Sequence, residues 1–248
     1  MCPSGSMLTM AAEGSMSVIS EDGDYLLVDK PLDWTSFDVV AKIRGAYKRN
    51  GLKRKVGHCG TLDPRATGLL ILATGKKTKT ISSLEMLDKA YDGVIRLGAR
   101  TVSLDTETPE YACCDTSHLS EEEIMEAADS FVGSRLQQPP MHSAVWHNGQ
   151  RLYELARKGL EVAERKTRMI EIYQFEITAI SLPYIYFYMK VSKGAYIRVI
   201  ADEFGELLGV GGYLDSLRRV SIGQYDLAGA MSVSGIVDEI SRTATIQE

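Results

Sequence analysis

Val56-Gly57-His58-Cys59-Gly60-Thr61-Leu62-Asp63-Pro64, followed by Ala66-Thr67-Gly68-Leu69-Leu70, isolates one carboxylate in a loop of restricted backbone. Pro64 fixes its own φ and keeps Asp63 out of the helical region, while Gly57, Gly60 and Gly68 permit turns or close approaches that a side chain would block. A lone Asp-Pro pair after a strand is an ordinary turn. Here the surrounding glycines aim the carboxylate at something.

Composition narrows what that is. At 248 residues, 44% hydrophobic and 25% charged, the chain suits one large domain with a substantial core. The apolar runs at Leu69–Ala73 and Tyr184–Val191 are too short to span a bilayer. Cys2, Cys59, Cys113 and Cys114 make no Cys-x-x-Cys pair and have no histidines at ligand spacing, which argues against structural zinc and a disulfide framework and fits a reducing cytoplasm. Residues 1–17 lack the basic start and apolar core of a signal peptide and are expected to be a disordered lead.

The net charge of −5 hides a lopsided distribution. Lys42, Arg44, Lys48, Arg49, Lys53, Arg54 and Lys55 follow one another without an acid, directly before the Asp63 loop, and more basic groups sit at Lys76, Lys77, Lys79, Arg151, Arg157, Lys158, Arg165, Lys166 and Arg168. That position favours guiding phosphates over a merely solvated helix face.

Tyr25–Val28 reads as a strand, after which Thr35 or Ser36 caps a helix carrying Val40, Ile43 and Tyr47 and stopped by Gly51. Leu69–Ala73 and Tyr91–Leu97 read as strands, and Ser120 with Glu123 opens a helix running to about Val132. Glu171–Ile180 and Tyr184–Val191 form a hairpin about Leu182-Pro183, and a helix spans about Ile197–Leu208. Antiparallel pairs with intervening helices and no regular βαβ alternation define an α+β protein.

Several ordered segments carry a resemblance. The Asp63 stretch resembles the catalytic motif of the TruB family, the transfer RNA pseudouridine-55 synthases. Lys30-Pro31 with Trp34-Thr35-Ser36, Lys89-Ala90-Tyr91 with Ile95-Arg96-Leu97-Gly98, Gln138-Pro139-Pro140 with Ser143-Ala144, Gly149, Arg151, Tyr153-Glu154 and Ala156-Arg157, Ser192-Lys193-Gly194-Ala195-Tyr196-Ile197-Arg198, and Leu217-Arg218-Arg219 resemble its other elements in order. The likeness covers about residues 20–230. It implies a pseudouridine synthase fold, with a central mixed, mostly antiparallel sheet flanked by helices. It also implies a catalytic domain over 18–230 and a thumb-like RNA-binding insertion at 134–168, a segment without strand signals that is rich in Arg, Lys, Tyr and His. Few residues follow Leu217, so 231–248 is expected to be a short tail, without the RNA-binding PUA domain of longer bacterial members.

The chemistry so implied needs little apparatus. Uridine becomes pseudouridine by breaking the bond from ribose C1′ to uracil N1, turning the base and joining its C5 to the same carbon. Uracil leaves as a delocalised anion, so the second carboxylate that a glycosidase uses as a proton donor is not required. Asp63 is the candidate that attacks C1′ or assists glycal formation by taking the 2′ proton, and both routes stay open. A dry site would favour the neutral carboxyl, so a cation beside it is expected. The family motif assigns that place to Arg198; if Ala195–Arg198 is extended, Tyr196 and Arg198 share one face beside Asp63.

Tyr91 is expected to stack on the extruded uracil and to take the C5 proton. His58 is expected to fill the gap left by the flipped nucleotide or to stack on a neighbouring base. Leu217 is placed as the wall under the base and Lys30 on the pocket floor. No metal and no organic cofactor is called for, and the expected partner is the T-arm stem-loop of transfer RNA, bound by a monomer in the cytoplasm. Asp33, Trp146 and Val102 depart from the family's usual Gly, Lys and Asp and bear on RNA grip more than on chemistry. The rivals are a transfer RNA folding chaperone, a guide-dependent ribosomal RNA synthase and an aspartate-dependent base exchange.

Overall fold

The strand Ala66–Thr74 is apolar without alternation, and the computed structural model buries it on both faces, Leu70 and Leu72 in one core cluster and Leu69, Ile71 and Ala73 in another. The structure describes residues 18–246 apart from 144, 161, 163 and 164, so the lead expected over 1–17 and Ala144 lie outside the described residues. Around that strand the chain runs β1 (Tyr25–Lys30), α1 (Ser36–Arg49), β2 (Val56–Cys59), β3 (Ala66–Thr74), α2 (Ile81–Glu85) and β4 (Lys89–Leu97). It continues through β5 (Arg100–Thr101), β6 (Glu110–Tyr111), α3 (Glu121–Ser130), β7 (Gly133–Gln137), β8 (Trp146–His147), β9 (Gln150–Arg151) and α4 (Leu152–Arg157). It closes with β10 (Arg168–Ser181), β11 (Tyr184–Val191), α5 (Ile197–Leu207), β12 (Gly212–Ile222), β13 (Tyr225–Asp226), β14 (Met231–Ser232) and α6 (Val233–Ile246).

The main sheet has the order β14-β1-β3-β12-β4-β11-β10-β7, with β2 on β3 and β13 on β12. Two contacts are parallel, β1 with β14 and β3 with β12; the other strand pairs are antiparallel, as expected. Alternation on β4 and β11 sends Tyr91, Ile95 and Leu97 and Ile185, Phe187, Met189 and Val191 into the largest cluster, which α3 and α5 cover. Phe131, Phe175 and Phe204 lock those helices to β10 with ring centroids 5.3–6.0 Å apart.

Helix starts follow their capping boxes, Thr35 with Asp38 and Ser120 with Glu123. The second helix ends at Ser130, short of the expected Val132, because Gly133 at φ +113° already opens a strand. Two boundaries are corrected. Residues 133–137, taken into a strandless insertion from 134, pair with β10 as part of the main sheet, so the excursion begins after Gln137 and, among the described residues, holds the β8–β9 hairpin and α4. Residues 231–246, expected as a tail, are a parallel strand on β1 and a helix whose Val233, Ile236 and Ile240 share a core with Val39, Ile43 and Tyr47 of α1.

Candidate active site

Leu62 and Ala66, flanking Asp63, sink into the same apolar cluster as Tyr91 and Ile197, which pins the loop at both ends. Its carbonyl oxygens are then taken one after another. Arg219, 1% exposed, donates from Nη2 to Gly60 (3.3 Å), from Nη1 to Thr61 (3.4 Å) and from Nε to Leu69 (2.7 Å). Ser36 Oγ donates to the Leu62 carbonyl (3.1 Å) and accepts from the Leu62 N–H (2.9 Å). The Asp63 carbonyl accepts from Ala66 N–H, and that of Pro64 from Asp33 N–H and from Lys30 Nζ. A loop so fully hydrogen-bonded cannot shift without losing several bonds together, so the Asp63 side chain is held in place.

Lys30 does not line a floor, as expected, but lies beneath the loop. It is wholly buried, and Nζ donates to the carbonyls of Pro31 (2.9 Å), Trp34 (2.6 Å) and Pro64 (3.4 Å). Burial pulls its pKa down to about 8, against the opposing attraction of Asp63. Asp33, standing where the resemblance leads to expect Gly, adopts φ +62°, the left-handed region in which Asp is tolerated, and pairs with Arg65 at 2.8 Å.

The Asp63 carboxylate is 42% exposed and its Oδ2 lies 2.9 Å from Nη2 of Arg198. The pair is as expected; its route is not. Tyr196 is the extended N-cap of α5 and Arg198 already sits in the first helical turn, so the two do not share a strand face. Arg198 is 5% exposed, and its guanidinium also donates to the carbonyls of Ser103 (3.0 Å) and His142 (2.9 Å) and lies 3.5 Å from the buried Asp105 carboxylate. Asp105 was missed: it sits in a Ser/Thr-rich turn with no motif of its own, and Glu107 and Glu110 close by leave nothing to single it out.

Beside this pair lies a cavity of about 290 Å³ lined by Asp63, Tyr91, Arg198, Leu217, Tyr196 and Lys89. It brings together every expected site residue except Lys30 and His58. Gln137, also missed, fixes Tyr196 by two bonds to its backbone, accepting from the N–H (2.8 Å) and donating to the carbonyl (3.1 Å). On its other side Asp63 borders a second cleft of about 410 Å³, where His58 lies with Phe37, His142 and Tyr153. Burial lowers the His58 pKa, and its Nδ1 has no hydrogen-bond partner among the described residues. A neutral imidazole able to stack suits that cleft better than a cation. Trp146 is exposed in the β8–β9 hairpin with Arg151 4.2 Å over its ring, and Val102 is exposed.

One carboxylate held beside an arginine, a tyrosine and a leucine around a base-sized cavity, and a second flat-walled cleft next to it, form a site for nucleotide rearrangement. Residues 48–197 match the TruB family pseudouridylate synthase (N terminal domain). The chain is 74% identical to tRNA pseudouridine synthase B of Chlorobaculum tepidum, across 96% of this chain and 100% of that protein. It is 45% identical to the protein of the same name from Flavobacterium johnsoniae, across 86% and 94%. Among solved structures, a chain in a crystal structure of a Cbf5-Nop10-Gar1 complex superposes with a TM-score of 0.67 at 26% identity, covering 90% of this chain and 59% of that one. The chain belongs to the TruB family and is a pseudouridine synthase, an isomerase. Among the described residues no helix is long and apolar enough to cross a membrane.

Proposed function

We propose that this synthase isomerises uridine 55 in the T loop of transfer RNA, binding the T-arm stem-loop as a monomer in the cytoplasm, with neither metal nor organic cofactor. The observation that carries the reading is the 2.9 Å contact between Arg198 and Asp63 at the edge of the cavity that holds Tyr91 and Leu217. Everting the target nucleotide brings C1′ to Asp63 and inserts uracil between Tyr91 and Leu217. Asp63 attacks C1′ or takes the 2′ proton, the C1′–N1 bond breaks, and the base turns in a cavity that shields it from water. Its C5 then joins C1′ as the bond to Asp63 breaks, or as Asp63 returns the 2′ proton; Tyr91 takes the C5 proton and N1 gains one. Arg198 holds the Asp63 side chain at the edge of the cavity.

The exposed Lys53, Lys55 and Lys79 line a groove of about 510 Å³ with Lys76, and this basic surface guides the phosphates. The relatives' names support transfer RNA as the substrate. The test is an unmodified T-arm stem-loop tritiated at uracil C5. Wild-type protein is expected to release label, and Asp63→Asn to bind the RNA and release none; equal release by the variant would remove Asp63 from the chemistry.

A further inference from the structure

Lys89 and Tyr91 stand two residues apart on β4, facing the same side of the sheet about 7 Å from one another along the strand, and both line the cavity. Lys89 is 7% exposed. Its Nζ donates to two main-chain carbonyls at the end of α2, Glu85 (2.7 Å) and Leu87. An ammonium carries three hydrogens, and among the described residues the third has no acceptor and the charge no ion-pair partner. Lys30 is the contrast, since three carbonyls accept its three hydrogens and Asp63 is the strongest charge acting on it.

A helix-end lysine would ordinarily reach outward to those carbonyls from solvent. Here the charge has been drawn inside, which costs several kcal/mol unless an anion meets it. Of the two carboxylates on the cavity wall, Asp63 is paired with Arg198 and Glu85 is exposed. The anion that does come into the cavity is the base itself. When the C1′–N1 bond breaks, the electron pair passes to N1 and spreads over the uracil carbonyl oxygens.

We propose that the unpaired N–H of Lys89 hydrogen-bonds a carbonyl oxygen of the detached uracil, stabilising its negative charge until C5 attacks C1′. The proton stays on the amine, so the balance of the reaction is unchanged: overall the C1′–N1 bond is exchanged for C1′–C5, C5 loses a proton and N1 gains one. Burial lowers the pKa of Lys89 to about 8, which leaves the ammonium charged at neutral pH. The inference rests on the cavity being the base pocket.

The test separates this role from support of α2. Target RNA carrying uridine or 5-fluorouridine is mixed with excess enzyme, and consumption of the target nucleoside is followed in a single turnover after nuclease digestion. Fluorine stabilises the base anion and so reduces the need for Lys89. Lys89→Met is expected to slow the uridine reaction about 10- to 100-fold, the worth of a hydrogen bond to a charge, and the fluorinated one markedly less. Lys89→Arg, which keeps cation and donor, is expected to recover most of the rate. The ratio of the two rates within one preparation does not depend on how much of it is folded. Equal losses with both bases, or an undiminished uridine rate, would overturn the proposal. Failure of wild-type protein to consume uridine would instead tell against the site reading above.

Discussion

Asp105 Oδ2 lies 3.5 Å from Nε of Arg198, with both side chains withdrawn from solvent, so the guanidinium that meets Asp63 is itself held by a second carboxylate. Arg198→Lys keeps the charge but cannot reach Asp63, Asp105, Ser103 and His142 at once. The expected result is a loss of turnover of ~10²–10³-fold, equivalent to ~3–4 kcal/mol of a broken buried pair, with RNA affinity near wild type. Single-turnover rates and filter binding measure the two; unchanged turnover would show that charge alone suffices.

Gly68 pairs with Arg219 across the parallel β3–β12 contact at φ +99°, and a Cβ there would meet the Arg219 carbonyl oxygen at 2.4 Å and its nitrogen at 2.8 Å. Neither atom belongs to a flexible side chain. Gly68→Ala is therefore expected to cost on the order of 3 kcal/mol or more and to lower the melting temperature by ~6 °C or more. Turnover should fall with it, because Arg219 also holds the carbonyls before Asp63.

Lys30 and Lys89, each lowered by burial from 10.5 to about 8, make a pH prediction. Between about pH 8 and 10 the unfolded chain retains protons that the folded protein releases, so these two groups make the unfolding free energy rise with pH across that window. Catalysis should move the other way, falling as pH rises through about 8 and the positive charge under Asp63 is lost. Denaturant midpoints and turnover at about pH 7.5, 8.5 and 9.5 test both signs at constant ionic strength. Lys30→Gln should flatten part of the rise in stability.

Lys53→Glu and Lys79→Glu, on the exposed basic groove, should raise KM for RNA without altering kcat. If each lysine meets one phosphate, the slope of log affinity against log salt falls by about 0.7–0.9 per site. A slope equal to wild type would move the RNA path elsewhere.

The Asp63 loop was legible because proline and glycine act on the backbone wherever they stand, and the hairpin β10–β11 because both strands are rich in aromatic and β-branched residues and β11 alternates cleanly, although β10 shifts register twice. The route of Arg198 was not. Gly194, at φ +78°, turns the chain so that helix α5 starts at Ile197, and nothing in Ala-Tyr-Ile-Arg distinguishes that from an extended segment. Strand β12 was missed because Asp215, Arg218 and Arg219 interrupt its apolar residues, although Arg219 is among the most deeply buried side chains. Lys30 was found but misplaced. A lysine's position above or beneath a loop depends on which carbonyls it meets, and these come from residues as far off as Pro64.

The parallel contact of β3 with β12 joins Ala66, Thr67 and Gly68 to Leu217, Arg218 and Arg219, about 150 residues downstream. A chain still emerging from the ribosome therefore has its nucleophile long before it has the wall and clamp that make the nucleophile useful. Until Leu217, Arg218 and Arg219 have emerged, the two sides of the site cannot be joined.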